Sequence, residues 1–200
     1  ELRIQIFADG ANLGEIANLT TNPLIQGFTT NPTLMRQAGV DDYAGFAKDM
    51  LALVGDRPVS FEVFADDFDD MQRQAMEIAS WGDNVFVKIP ITNTKGEASA
   101  PLVERLTGEG VSVNVTAIMT IDQVRDTAAV LDNGVPAVVS VFAGWIADTG
   151  VDPVPVMAEC RDILADNPAA QLLWGSPREV LNVYHAEEAG CDIITVTHGL

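Results

Sequence analysis

The sequence predicts an α/β protein whose strands close into a (β/α)8 barrel, and three observations predict it. Eight short runs rich in Val, Ile and Phe alternate with seven longer amphipathic stretches. No Ser/Pro/Gly-rich linker or low-complexity tract divides the 200 residues, so the strands are expected to share one sheet in a single domain over 1–200. The loop after the first run, Asp9-Gly10-Ala11-Asn12-Leu13-Gly14, lacks the GxGxxG spacing with which an open doubly wound sheet holds a dinucleotide.

Strands are predicted over 3–9, 27–30, 59–65, 85–90, 112–118, 137–143, 170–174 and 192–197, each a short β-branched apolar run. Helices are predicted between them over 13–19, 41–54, 67–81, 98–107, 121–131, 155–166 and 177–188. Gly55, Gly82, Gly110, Gly134 and Gly190 fall at or just beyond helix ends, where a C-terminal cap favours glycine. The fold usually takes ~250 residues. Its eighth helix has no counterpart after the eighth strand, and a missing or truncated C-terminal helix is the expected reason.

Eleven Lys and Arg against 29 Asp and Glu leave a net charge of −18. That field repels a nucleic-acid backbone or an anionic membrane surface, so neither is expected as a partner. No apolar run approaches the roughly 20 residues of a membrane helix, and no signal-peptide pattern opens the chain, so a cytoplasmic protein is expected. Cys160 and Cys191 have no CxxC or Cys/His neighbours and fit two structural thiols. His185 and His198 lack ligand spacing, so no metal site is expected. The acidic run Asp66, Asp67, Asp69 and Asp70 reads as favourable charge at a helix N-terminus, without the calcium-loop spacing.

Parallel strands covered on both faces should be nearly continuous apolar runs, yet polar residues recur at their C-terminal ends. They are Asp9, Thr29 with Asn31 just beyond, Glu62, Lys88, Asn114 with Thr116, and Ser140. Side chains alternate faces along a strand, so Phe86 shares a face with Lys88, and Asn114 with Thr116. An inward face would gather these groups at the barrel end where such folds carry their chemistry. A strand-end Asp, Asn or Thr also serves as turn or cap chemistry. Lys88, one of only three lysines, is the demanding residue. A buried ammonium needs a dedicated carboxylate, which Asp9 or Glu62 can supply, or it works as a desolvated amine that attacks a carbonyl carbon to form a Schiff base.

Six segments resemble, in order and spacing, the small transaldolases and their fructose-6-phosphate aldolase relatives. They are Phe7-Ala8-Asp9-Gly10-Ala11-Asn12, Gly27-Phe28-Thr29-Thr30-Asn31-Pro32-Thr33, Phe61-Glu62-Val63, Val87-Lys88-Ile89-Pro90, Asn114-Val115-Thr116 and Ser140-Val141-Phe142-Ala143-Gly144. The resemblance implies a TIM barrel without metal or organic cofactor, sugar or sugar-phosphate substrates, and a ring-shaped homo-oligomer. Lys88 would form the Schiff base with a ketose, Asp9 would take the hydroxyl proton that triggers cleavage, and Glu62 and Thr116 would hold the shuttling water. Asn31 and Asn114 would position the three-carbon unit, with Ser140 and Thr29 in the same pocket. Glu62 and Phe142 stand where the aldolase branch usually has Gln and Tyr, which favours transfer.

The chain also departs from the family pattern. Trp145 stands where an arginine for the substrate phosphate is expected, and Leu173 and Gly175 align with polar positions around the seventh strand. An indole offers one donor and no charge, so it does not replace a guanidinium fork. Ser176 or Arg178 are the candidates to compensate. Alternatively, Trp145 and Trp174 form an aromatic wall for an unphosphorylated acceptor. Three readings stay open from the sequence: a transaldolase with altered phosphate recognition, an aldolase releasing dihydroxyacetone, and a non-catalytic sugar-phosphate-binding barrel.

Overall fold

The computed structural model describes residues 2–200. Eight parallel strands close in sequence order into a barrel: β1 (Gln5–Asp9), β2 (Ile25–Thr29), β3 (Val59–Glu62), β4 (Val85–Pro90), β5 (Val113–Ile118), β6 (Ala137–Val141), β7 (Ala170–Trp174) and β8 (Ile193–Thr197). The last strand returns to the first, with Gln5 opposite Ile193 and Asp9 opposite Thr197. Among the described residues the connecting helices are α1 (Leu13–Leu19), α2 (Pro32–Gln37), α3 (Tyr43–Val54), α4 (Phe68–Ala79), α5 (Ala100–Gly108), α6 (Ile121–Val130), α7 (Ala143–Asp148), α8 (Pro153–Ile163) and α9 (Leu181–Glu188). The predicted barrel is the fold that forms.

Each strand serves two cores because its side chains alternate. The outward residues of β4, Val85, Val87 and Ile89, are buried together with Met71, Ala75 and Ile78 of α4 and Leu102, Val103 and Leu106 of α5. Burying each large apolar side chain contributes about 1.5–3 kcal/mol, so this interface is the main support of the ring. The inward residues form a separate, smaller cluster of Phe7, Val138, Leu173 and Ile193, with Phe86 packed against it. This plug fills the barrel centre. Gly27 makes room for it, because a Cβ there would lie 2.5 Å from Phe7 Cζ.

The differences from the predicted elements have local causes. The third strand ends at Glu62 rather than 65, because the Phe64 and Ala65 N–H groups donate to Gln74 Oε1 at 2.8 and 2.9 Å instead of to a neighbouring strand. The sixth ends at Val141 because Ala143 already opens α7. Helices α2 and α7 lie outside the predicted set. Six residues each, they span less than two turns and show no periodicity. The Asp67 side chain caps α4 by accepting from the Asp69 and Asp70 N–H groups, the expected role of part of that acidic run.

No helix follows β8 among the described residues, and an apolar groove of about 300 Å3, lined in part by Leu24, Val180, Tyr184 and Leu200, runs beside that strand. Cys160 and Cys191 are buried free thiols. No helix of the described residues is long and apolar enough to cross a membrane.

Gly27→Ala is expected to lower stability by about 1–3 kcal/mol through overpacking against Phe7. Pairing it with Phe7→Leu should recover part of the loss. Chemical denaturation of the two single variants and the double variant reads the coupling, and strict additivity would contradict the close approach.

Candidate active site

One step of two residues separates the apolar plug from a polar layer above it. Phe7 leads to Asp9, Gly27 to Thr29, Phe86 to Lys88, Val138 to Ser140 and Ile193 to Thr195, and Glu62 ends β3 at the level of Lys88. These polar side chains, with Asn114 and Thr116 of β5, line a cavity of about 470 Å3 at the C-terminal ends of the strands. Neighbouring strands hold them side by side: Asp9 is paired with Thr29, Glu62 with Lys88 and Lys88 with Asn114. The cavity floor is apolar and its wall is polar.

Lys88 is 7% exposed, and its amine has two protein partners. Its Nζ donates to the Thr30 carbonyl oxygen at 2.9 Å and lies 3.3 Å from Glu62 Oε2. The carboxylate that a buried lysine requires is therefore Glu62, on the adjacent strand. The Glu62 main-chain carbonyl accepts from the Tyr43 hydroxyl at 2.7 Å, which anchors the end of β3. Burial pushes the Asp9 carboxyl above the usual aspartate range, against the opposing pull of the Lys88 charge and the Thr29 hydrogen bond.

Hydroxyl and amide groups complete the layer. Ser140 Oγ donates to Asn114 Oδ1 at 2.6 Å, and Asn114 Nδ2 donates to Ser60 Oγ at 3.0 Å, so the amide is clamped at both ends. Thr29 Oγ1 donates to Asp9 Oδ1 at 2.8 Å and lies 2.5 Å from Thr195 Oγ1. Asn31 has a cap role as well as a place in the cavity: its Oδ1 accepts from the Leu34 N–H at 2.9 Å at the start of α2, which leaves its amide protons for other partners. Thr116 lines the cavity beside Ala117, whose φ of 60° goes with the register shift in β5.

At the mouth stand Phe142, Trp145 and Ser176. Trp145, on the short α7, is 51% exposed and meets Phe142 edge-on at 5.4 Å between ring centroids. Ser176 has a φ of 56°, a left-handed conformation costly for a non-glycine residue. Gly144 lets the first turn of α7 pass over it, since a Cβ there would overlap the Ser176 carbonyl oxygen.

Two expectations need correction. Trp174 is fully buried and belongs to the outer core, because it sits between the inward residues Leu173 and Gly175 and so faces the helices. It contributes nothing to an aromatic wall. Arg178 is not among the cavity residues. Its guanidinium forks onto Asp148, with Nε 3.2 Å from Oδ1 and Nη2 on Oδ2. Lys88 is then the one cationic side chain among the described residues lining the cavity, facing two carboxylates.

Thr195 is a cavity residue that the sequence reading missed. The strand-face alternation applied to strands four and five applies equally to strand eight, where Ile193 and Thr195 share a face.

Comparison with known proteins agrees with this architecture. A family model described as transaldolase/fructose-6-phosphate aldolase matches residues 6–200. A probable transaldolase of Dehalococcoides mccartyi is 33% identical over 196 residues, which cover 98% of this chain and 87% of that protein. One from Novosphingobium aromaticivorans is 35% identical over 194 residues, covering 96% and 84%. Among solved structures, KGPDC from Streptococcus mutans superposes with a TM-score of 0.62 at 13% identity, covering 99% of this chain and 88% of that one; the likeness is one of fold.

The raised Asp9 carboxyl has a consequence for stability. Folding raises its proton affinity, so ionised Asp9 costs stability once pH passes the ordinary aspartate value, and the cost is complete above the raised one. Asp9→Asn is therefore expected to melt at a higher temperature than wild type at pH 8, with the gap closing towards pH 4. Thermal melts across that range check it, and a lower melting temperature at pH 8 would contradict the sign.

Proposed function

The chain belongs to the transaldolase/fructose-6-phosphate aldolase family, and we propose that it transfers a dihydroxyacetone unit from a ketose to an aldehyde through a Schiff base on Lys88. One observation carries the reading: a buried amine between two carboxylates, Glu62 in ion-pair contact and Asp9 in the same cavity.

Glu62 accepts the proton that the Lys88 ammonium must lose before it attacks the ketose C2 carbonyl. Attack gives a carbinolamine, and protonation of its hydroxyl from Glu62, directly or through a water held with Thr116, expels water and leaves the iminium. Asp9, as carboxylate, removes the proton of the C4 hydroxyl. The C3–C4 bond breaks, its electron pair flows into the iminium, and an aldehyde leaves. The remaining three carbons stay on Lys88 as an enamine. The acceptor aldehyde then takes the C3 carbon, Asp9 returns its proton to the new hydroxyl, and hydrolysis frees the amine. Asn31 and Asn114 are the amide groups that hold the hydroxyls of the retained unit, with Ser140 and Thr29 beside them.

Recognition of a phosphate is altered at Trp145. The mouth offers an indole and the Ser176 hydroxyl, and Arg178 is neutralised by Asp148. With a net charge of −18, an anionic group finds no guanidinium among the described residues lining the cavity to offset the overall field. This supports an acceptor that is unphosphorylated.

Two experiments test the reading. Borohydride reduction with dihydroxyacetone or fructose 6-phosphate should leave an adduct that peptide mass mapping places on Lys88, and Lys88→Met should show none. Absence of an adduct with both donors would reject the covalent mechanism for them, while brisk release of free dihydroxyacetone without an acceptor would favour the aldolase. Trp145→Arg should lower KM for a phosphorylated acceptor by about tenfold, the worth of a charge-assisted hydrogen bond, and leave the unphosphorylated one unchanged. Equal effects on both would contradict the phosphate-site assignment.

A further inference from the structure

Asp9 owes its orientation to a chain of two hydroxyls. Thr29 Oγ1 lies between Asp9 Oδ1 at 2.8 Å and Thr195 Oγ1 at 2.5 Å, and Thr29 is only 3% exposed. A threonine hydroxyl has one proton. Ionised Asp9 is acceptor-only, so the Thr29 proton goes to Asp9 and the proton between the two threonines comes from Thr195. The order of donation is thereby fixed across three strands, from β8 to β2 to β1.

We propose that Thr195 is a positioning residue for Asp9: by donating to Thr29 it commits the single Thr29 proton to Asp9 Oδ1 and leaves Oδ2 as the oxygen that receives a substrate proton. A donor into Thr29 also polarises the Thr29 O–H, which strengthens its hold on the carboxylate. Without Thr195, a lone pair of the buried Thr29 oxygen loses its donor and the hydroxyl is free to turn. The role assigned to Asp9 rests on the transfer mechanism above; the coupling of Thr195 to Asp9 does not.

Other titratable groups face Asp9. Lys88 and Glu62 share its cavity, and Glu15 and His198 share an adjoining cleft with it. All four are retained in the variants compared, so a difference between variants belongs to the hydroxyl chain.

The test has a kinetic arm and a direct one. Thr195→Val keeps the side-chain shape and removes the donor. It should move the acidic limb of the kcat profile up by roughly 0.5–1 pH unit, the size of one neutral hydrogen bond, with KM for the donor little changed and the Lys88 adduct still trapped. Thr195→Ser should restore the wild-type limb. Carbon NMR titration of the Asp9 carboxyl in the same proteins should show the same upward shift and rescue, and it needs no turnover. If wild type forms no Lys88 adduct, the transfer mechanism fails and the NMR arm still decides the coupling. Thr195→Ala serves in place of a valine variant that does not fold. An unshifted Asp9 titration in the hydroxyl-free variant, or equal shifts in the serine and hydroxyl-free variants, would overturn the proposal.

Discussion

A lysine buried at the end of a parallel barrel is the constraint from which the site follows. Water does not reach its charge freely, so Lys88 needs a carboxylate and an acceptor within the protein, and Glu62 and the Thr30 carbonyl supply them. Glu62 comes from the adjacent strand β3, where the barrel register puts it directly opposite Lys88, and the Thr30 carbonyl comes from the residue just past β2. The apolar plug beneath excludes water from below and fixes the height of the polar layer. An apolar residue at position 88 would pack on the plug without that desolvation cost.

Alternation with a period of two is the most informative feature of the sequence, and its limits explain what was missed. It picks out the inward set Asp9, Thr29, Glu62, Lys88, Asn114, Thr116 and Ser140, all of which line one cavity. The same parity, applied to strand seven, separates Trp174 from Leu173 and sends the indole to the outer core, where its N–H has no protein partner. Applied to strand eight, it selects Thr195. Outside the strands the rule has no force. The α2 and α7 helices are too short for a periodic signal, and Arg178 is set by a contact with Asp148 that lies 30 positions away in the chain. Side-chain pairing of that kind is a product of the closed fold and leaves no local trace.

The polar layer divides into a rigid half and a titrating half. Ser140 and Asn114, with Ser60 beneath them, form a neutral chain in which the Asn114 amide is held at both ends. Asp9 is instead kept at a cost, pushed up by burial and held by Thr29. A base that is destabilised as its anion is a better proton acceptor near neutral pH than an exposed aspartate. At the mouth, Trp145 and Phe142 present aromatic surface.

Isotope dilution tests whether the three-carbon unit stays covalently bound to Lys88 between donor and acceptor. The protein is first loaded with a ketose donor labelled in its first three carbons, and an aldehyde acceptor is then added together with an excess of unlabelled free dihydroxyacetone for a single turnover. If the unit never leaves the amine, the initial product carries the donor's label undiluted. Product labelled at the isotope ratio of the free pool would show that the unit leaves Lys88 before transfer and contradict covalent retention.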